Sequence, residues 1–383
     1  MNRAVMLRIA ACGAMGLGAG LLIAARLAQG LGAALFMPSS LALLVRAFPE
    51  PRRRASMLAL WSAMVAASGT LGPTLGGLLT SAFGWRSIFL VNIPVVAAGV
   101  ALTLRAVEAR PGTGLRINPV GNLLVFLTAG SGAYALIQGN ATGFSAGSVR
   151  AALGILAVSA VLLVVQQRLT PRPVMPWGLF RRRAFTGANL VGFLYSGALF
   201  GNLYLMGLFF QNARHASPLA AGVQFLPMTI CFPLANLGYG RLHHRVSDAT
   251  IMGCCLGVAG LATLALTAVT PATPYAVIAV ALGLANSGAG LVTASMTAAT
   301  VRAAGDEHAG HAGAVLNTNR QFGVLLGVAA IGLTVHGAAD WTQALRLGSA
   351  GIALAYLCAS AAAFTLVPSR SGASAASDRR TTR

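Results

Sequence analysis

The sequence is poor in charge of every kind. Its 383 residues include no lysine and only seven acidic residues, and charged residues make up 9% of the chain. Soluble domains carry about 25% charged residues, because water must be met by a polar surface. With 56% hydrophobic residues and a mean hydropathy of +0.74, this chain cannot provide such a surface. The composition excludes a soluble globular domain and predicts an integral membrane protein.

The sequence also lacks the patterns expected of metal sites and of enzymes. Its five cysteines all lie in apolar stretches, with neither zinc-site spacing nor a disulfide framework. No protease, hydrolase or paired intramembrane aspartate motif is present. No short apolar core with a cleavage site marks a signal peptide. We therefore expect no metal, no cofactor and no enzymatic activity.

The basic residues are all arginine and give a formal net charge of +20. A basic domain commonly binds nucleic acid, but these arginines concentrate in short connectors between apolar segments. Cytoplasmic loops of membrane proteins are rich in Arg and Lys, so the charge indicates orientation and we expect no nucleic-acid partner. Every second connector is poor in arginine. This alternation predicts a cytoplasmic C-terminus and an outward-facing loop at Thr270 to Pro274.

Eleven segments are long and apolar enough to span a bilayer, which takes about 20 residues. They run over 21–46, 56–83, 87–107, 118–139, 150–167, 186–212, 219–240, 249–270, 274–300, 310–336 and 343–367. A shorter apolar piece, Val5 to Ala19, precedes them. We expect a multi-pass protein of the plasma membrane (the inner membrane where there are two), surrounded by lipid and acting as a monomer.

Five motifs occur in an order that resembles a known family. They are "LIAARLAQGLGAA" (Leu22 to Ala34), "GPTLGG" (Gly72 to Gly77), "GWRSIFLVNIP" (Gly84 to Pro94), "SPLAAGVQFLPM" (Ser217 to Met228) and "NTNRQFGVLLGVA" (Asn317 to Ala329). Together they resemble the major facilitator superfamily, and in particular its fourteen-helix drug:proton antiporter branch. The resemblance implies an all-α, major-facilitator-like helix bundle with about eleven transmembrane helices and an incomplete first half.

The same resemblance implies a division of the chain. Residues 1–110 would form a partial first-half bundle, a remnant plus three helices. Residues 111–184 would hold two extra linking helices and a cytoplasmic loop. Residues 185–368 would form a complete six-helix second half, followed by a disordered basic tail at 369–383. The resemblance implies that the first two helices and most of the third would be missing from this sequence.

Glycines interrupt the apolar segment that contains "SGTLGPTLGGLL" (Ser68 to Leu79). Helices in lipid need small residues to approach closely, and Gly69, Gly72 and Gly76 would place a smooth stripe on one face. Pro73 is tolerated where a neighbouring helix packs against it. The resemblance implies that this face meets the second half and gates a cavity. The packing and gating residues would be Gly30, Gly72, Pro73, Gly76 and Gly77; packing without a role in transport is the alternative.

Two arginines fall inside predicted spans. Arg26 lies about one and a half turns into its helix, and Arg320 lies about ten residues in, roughly 15 Å deep. An ionisable group there is a functional candidate by default, although Arg26 could also reach the interface. With Gln29, Asn317 and Gln321 they are the predicted substrate or proton pathway. No carboxylate lies in the middle of a span, and the resemblance would place the proton-binding one on a missing helix.

The resulting hypothesis is a transporter that exports amphipathic small molecules by proton antiport in its full-length form. One alternative takes Arg26 and Arg320 as clamps for an anionic substrate. Another is a truncated membrane protein without transport activity.

Overall fold

The computed structural model of the protein describes residues 19–48, 50–106, 118–170, 177–242, 245–305 and 309–367. Regular structure in these ranges is entirely helical. The helices are α1 (Ala19–Ala47), α2 (Pro51–Phe83), α3 (Ser87–Leu90), α4 (Asn92–Ala106), α5 (Pro119–Thr142), α6 (Gly147–Leu169), α7 (Trp177–Phe180), α8 (Arg183–Leu208), α9 (Pro218–Gln224), α10 (Leu226–Leu242), α11 (Asp248–Ala265), α12 (Tyr275–Asn286), α13 (Ala289–Ala304), α14 (Ala309–Gly337) and α15 (Trp341–Leu366). Apart from Ala19, the short N-terminal piece and the basic tail lie outside the described residues.

The predicted all-α membrane helix bundle is confirmed. Eight helical segments of the described chain are long and apolar enough to cross a membrane. Three further helices, α1, α2 and α14, have 29, 33 and 29 residues and correspond to the other three predicted spans. Each is longer than the roughly 20 residues that a bilayer requires.

Two predicted continuous spans are each divided into two helices. The 219–240 segment is α9 and α10, which meet at Phe225, and the 274–300 segment is α12 and α13, which meet at Ser287 and Gly288. A Cβ at Gly288 would lie 2.6 Å from Cys255 Sγ of α11, so only glycine allows this approach. The α8 segment also ends irregularly, in a π-helix over Phe209–Ala213.

Local sequence explains where several helices begin and end. Proline occupies the first turn of α2, α5 and α9, where no amide hydrogen bond is lost. The side chains of Asn118, Ser217, Ser247 and Asp340 accept hydrogen bonds from backbone amides three residues on, as N-caps do. Three turns at helix ends use glycine with positive φ: Gly84, Gly143 and Gly305.

The chain divides into two compact units. The first contains Met1–Leu115 and Ala216–Leu226, and the second contains Arg116–His215 and Pro227–Arg383. In the first unit, α9 packs along α2 and α1 contacts α2. In the second, α8 packs against α13, α14 and α15, α11 packs against α15, and α5 pairs with α6. The core of the second unit is deeply buried around Phe185, Tyr195 and Tyr356.

Candidate functional site

The glycine–proline motif of α2 makes a backbone-to-backbone contact with α9. A Cβ at Gly77 would collide with the carbonyl oxygen of Pro218 and lie 3.2 Å from Leu219 Cα. A Cβ at Gly222 would lie 2.7 Å from the carbonyl oxygen of Pro73. Glycine is therefore required on both helices, and the motif meets a segment from the second half of the sequence.

Two hydrogen bonds between different elements accompany this contact. The Thr74 hydroxyl donates to the carbonyl oxygen of Gly222 at 3.1 Å, and the Leu219 amide donates to Ser81 Oγ at 3.1 Å. The N-terminal amides of a helix have no partner within it, so Ser81 supplies an acceptor from α2. Ser217 Oγ satisfies a second amide of α9, that of Ala220, at 3.2 Å.

The close contact does not use the predicted stripe. A Cβ at Gly30, Gly72 or Gly76 would meet no described atom within 4 Å, and the surroundings of Gly69 lie outside the described side chains. The face that touches α9 instead runs through Pro73, Gly77 and Ser81, which are spaced four residues apart. This face is rotated by one residue, about 100°, from the predicted one.

Arg26 lies on an exposed part of α1. Its guanidinium Nη1 donates to Gln29 Oε1 at 2.9 Å, and its Cζ lies 4.5 Å from the centre of the Phe89 ring. A cation over an aromatic face is attracted to the ring. Among the described residues Arg26 has no carboxylate partner. The structure thus brings Arg26 and Gln29 together.

Arg320 is half-buried on α14 and reaches α8. Its Nε donates to Ser196 Oγ at 3.2 Å. Gly192 leaves room for its stem, since a Cβ there would lie 3.3 Å from Arg320 Cγ. The predicted neighbours Asn317 and Gln321 are both exposed, and no hydrogen bond joins either of them to Arg320 in the described structure.

Polar groups join α8 to α14, and the two that lie on α8 were not predicted from the sequence. The Asn319 amide nitrogen donates to the carbonyl oxygen of Asn189 at 2.6 Å. Asn319 precedes Arg320 in α14, and Asn189 lies about two turns before Ser196 in α8. Their partners Asn189 and Ser196 belong to none of the five motifs and lie in the apolar span 186–212. The four-residue spacing of Gly197 and Gly201 is the signal that could have identified this face of α8.

Three other polar side chains, Tyr195, Asn202 and Asn286, are buried in the spans and have different surroundings. The Tyr195 hydroxyl donates to the carbonyl oxygen of Ala289 at 3.0 Å and accepts a hydrogen bond from Thr293 at 3.3 Å. Asn286 bonds back to Leu282 of its own helix at 2.9 Å. Asn202 is fully buried, and neither of its amide atoms has a hydrogen-bond partner among the described residues. Tyr195 is thus satisfied by a neighbouring helix, and Asn202 is not.

A second glycine contact joins α14 to α8. A Cβ at Gly323 would collide with the carbonyl oxygen of Phe193, and one at Gly327 with that of Gly197. Beside this contact an apolar cleft of about 210 Å³ opens between α8, α14 and α15, and Thr334 is the one polar side chain among its described lining residues. Pockets for drug-sized ligands occupy about 300–1,000 Å³, so this cleft alone is small for such a molecule.

The acidic residues in the described part of the chain lie at helix ends. Glu50, which directly precedes α2, pairs at 3.4 Å with Arg53 in the first turn of that helix. Asp248 pairs with Arg302 and accepts a hydrogen bond from the Tyr239 hydroxyl at 2.8 Å. Asp340 caps α15 by accepting from the Gln343 amide at 2.7 Å. In this part of the chain no three potential metal ligands cluster.

Comparisons with known proteins agree with these features. The sequence profile of the Major Facilitator Superfamily matches residues 3–328. A methylenomycin A resistance protein of Streptomyces coelicolor is 49% identical over 331 residues, covering 86% of this chain and 70% of that protein. A protein with the same name in Bacillus subtilis is 36% identical over 342 residues, covering 89% of this chain and 73% of the relative.

A third relative and a solved structure extend the comparison. The multidrug resistance protein Stp of Mycobacterium tuberculosis is 34% identical over 339 residues, which cover 87% of this chain and 59% of Stp. A chain from a structural study of proton-dependent oligopeptide transporters superimposes with a TM-score of 0.59 over 95% of this chain and 82% of its own length. At 15% identity that structure supports the fold alone. By its sequence and its helical architecture, the chain belongs to the Major Facilitator Superfamily and is a membrane transporter of the drug-efflux type, not an enzyme.

Proposed function

We propose that the protein exports amphipathic, antibiotic-like small molecules from the cytoplasm in exchange for protons. The observation that carries this proposal is the backbone contact between the glycine–proline motif of α2 and α9. The motif resembles the one that marks antiporters, and its Gly77 is where a neighbouring segment approaches most closely. The names of the relatives, which are resistance and multidrug efflux proteins, support export as the direction of transport.

The α2–α9 contact is suited to a gate. Glycine on both sides removes the side chains that would interlock the two surfaces, and two hydrogen bonds hold them together. Such a contact can open and close without changes of side-chain rotamer. Closely packed small residues also give helices in lipid their attraction, since the hydrophobic effect does not act between them there.

Transport and coupling can be measured together in proteoliposomes that contain the full chain. We expect an imposed pH gradient to drive a cationic or an anionic amphipathic fluorescent dye against its concentration gradient. A protonophore should abolish this accumulation. If neither dye moves in either condition, export is contradicted; if a dye moves only down its gradient, the proton coupling is contradicted.

We further propose that the protein acts as a monomer in the plasma membrane, with its C-terminal tail in the cytoplasm and no nucleic-acid partner. The arginine alternation supports this orientation. The mass of the detergent-solubilised protein, measured by light scattering with the detergent subtracted, should equal that of one 38.9 kDa chain. A mass of two chains would contradict the monomer.

A further inference from the structure

Arg320 carries a charge that the described protein does not balance. Within the described part of the chain its single side-chain hydrogen bond runs from Nε to the Ser196 hydroxyl, which is a neutral group. The described carboxylates of Glu50, Asp248 and Asp340 are engaged at helix ends. An arginine inside a membrane span is costly unless it is paired or faces a water-filled cavity.

The two terminal nitrogens of Arg320 are available to a ligand. They make no hydrogen bond to the described residues, and they are not among the fully buried polar atoms that lack a partner, so each keeps some accessible surface. The Nε bond to Ser196 fixes the guanidinium plane, and the lack of a side chain at Gly192 leaves room for the stem. A planar guanidinium with its outer edge free matches the two oxygens of a carboxylate.

We propose that Arg320 binds the carboxylate, or a similar planar anion, of an amphipathic acid that this protein transports. The inference rests on the proposed export function and names its substrate class. Ser196 is the positioning residue, because it orients the guanidinium without touching the acid. An arginine with a purely structural role would donate hydrogen bonds from its terminal nitrogens to backbone carbonyls. In the described structure those of Arg320 make no such bond.

The test compares two aromatic probes of nearly equal size, 1-naphthylacetate and its neutral amide. Binding of each is measured by equilibrium dialysis with the full chain in nanodiscs of uncharged lipid. We expect the acid to bind about tenfold more tightly than the amide, or better, since a hydrogen bond to a charged group contributes about 1.5–3 kcal/mol. In Arg320→Gln the affinity for the acid should fall to the affinity for the amide. In Arg320→Lys the preference for the acid over the amide should be kept in part.

Arg346→Gln is the matched control, because Arg346 is exposed on α15 and its loss should leave both affinities unchanged. Amide binding and thermal melting establish that Arg320→Gln is folded. If that variant does not fold, Ser196→Ala replaces it and should weaken the acid more than the amide. Equal binding of acid and amide by the native protein, or no binding of the acid, overturns the proposal.

A lipid headgroup is the other source of an anion. Adding phosphatidylglycerol to the nanodiscs should leave binding of the acid unchanged. If the lipid competes with the acid in the native protein and this competition disappears in Arg320→Gln, the site binds lipid and the proposal is overturned. Dye transport in proteoliposomes separates this inference from the proposed function. Export of a dye without any preference for the acid contradicts the substrate class alone, whereas the absence of all transport contradicts the export function.

Discussion

At the scale of single residues, two adjacent glycines have opposite surroundings. Gly77 lies against the backbone of α9, whereas a Cβ at Gly76 would meet none of the described residues within 4 Å. Both belong to the same G-P-x-x-G-G motif, so the motif alone does not separate them. Replacing each by alanine adds the same single carbon in the same helix, and this makes the pair a direct test of the α2–α9 contact.

We predict that Gly77→Ala reduces dye efflux several-fold, because its Cβ displaces the carbonyl of Pro218, and overpacking of this kind costs about 1–3 kcal/mol. Gly76→Ala should be neutral or slightly stabilising, since alanine favours a helix over glycine by about 1 kcal/mol. Efflux is compared in cells at equal amounts of membrane-inserted protein. Equal activity of the two variants would show that the contact has no part in transport.

At the scale of elements, α14 is held to α8 by glycine and by polar side chains. Gly323 and Gly327 let the two backbones meet, and Asn319 and Arg320 bond across the same interface. Close approach through glycine and hydrogen bonds between helices are the two main sources of helix association in lipid. The α8–α14 pair uses both within three turns of α14.

We predict that Gly323→Ala lowers the melting temperature of the detergent-solubilised protein, because its Cβ meets the carbonyl of Phe193. The net loss should be roughly 1–2 kcal/mol, the overpacking cost less the gain in helix propensity. Gly313→Ala, in the same helix but with no part of the described structure within 4 Å of its Cβ, should melt at the native temperature or above. A Gly323→Ala melting curve that overlays the native one would contradict the described packing.

At the scale of the molecule, arginines near helix ends of the second unit bond to groups in connectors on the same predicted side of the membrane. Arg182 donates to the carbonyl oxygen of Ala303 at 2.7 Å, and Arg302 pairs with Asp248; all four lie in or beside connectors predicted to be cytoplasmic. Arg214 donates to Thr273 at 2.7 Å, and both lie in connectors predicted to face outward. The helix order of this unit is therefore compatible with the arginine alternation.

We predict that a membrane-impermeant thiol reagent labels Ala272→Cys in intact cells and labels Ser374→Cys only after permeabilisation. Each variant is made in a background without the five native cysteines, so that one thiol reports one side. The reason is the arginine alternation, which places the tail in the cytoplasm and the Thr270 to Pro274 loop outside. Labelling of Ser374→Cys in sealed cells would invert the topology.

The sequence by itself determined the class, the helical architecture and the family of this protein. Low charge and long apolar segments exclude a soluble fold, because such a chain cannot cover a surface that faces water. The spans are helical, because a chain that crosses a bilayer must satisfy its backbone hydrogen bonds internally. The motif order indicated the family, and the spans were found to within a few residues. These properties are local, or are summed along the chain, so no knowledge of distant contacts was needed.

Only the tertiary structure decided which faces of the helices meet. Thr74 and Gly222 are 148 residues apart, and their contact fixes the rotation of α2 so that Gly77, and not Gly76, faces α9. The break at Gly288 and the Arg320–Ser196 hydrogen bond likewise depend on a neighbouring helix. A pattern of small residues predicts that a helix packs closely against a neighbour. Successive residues point about 100° apart around the helix, so the position of the neighbouring helix decides which small residue makes the contact.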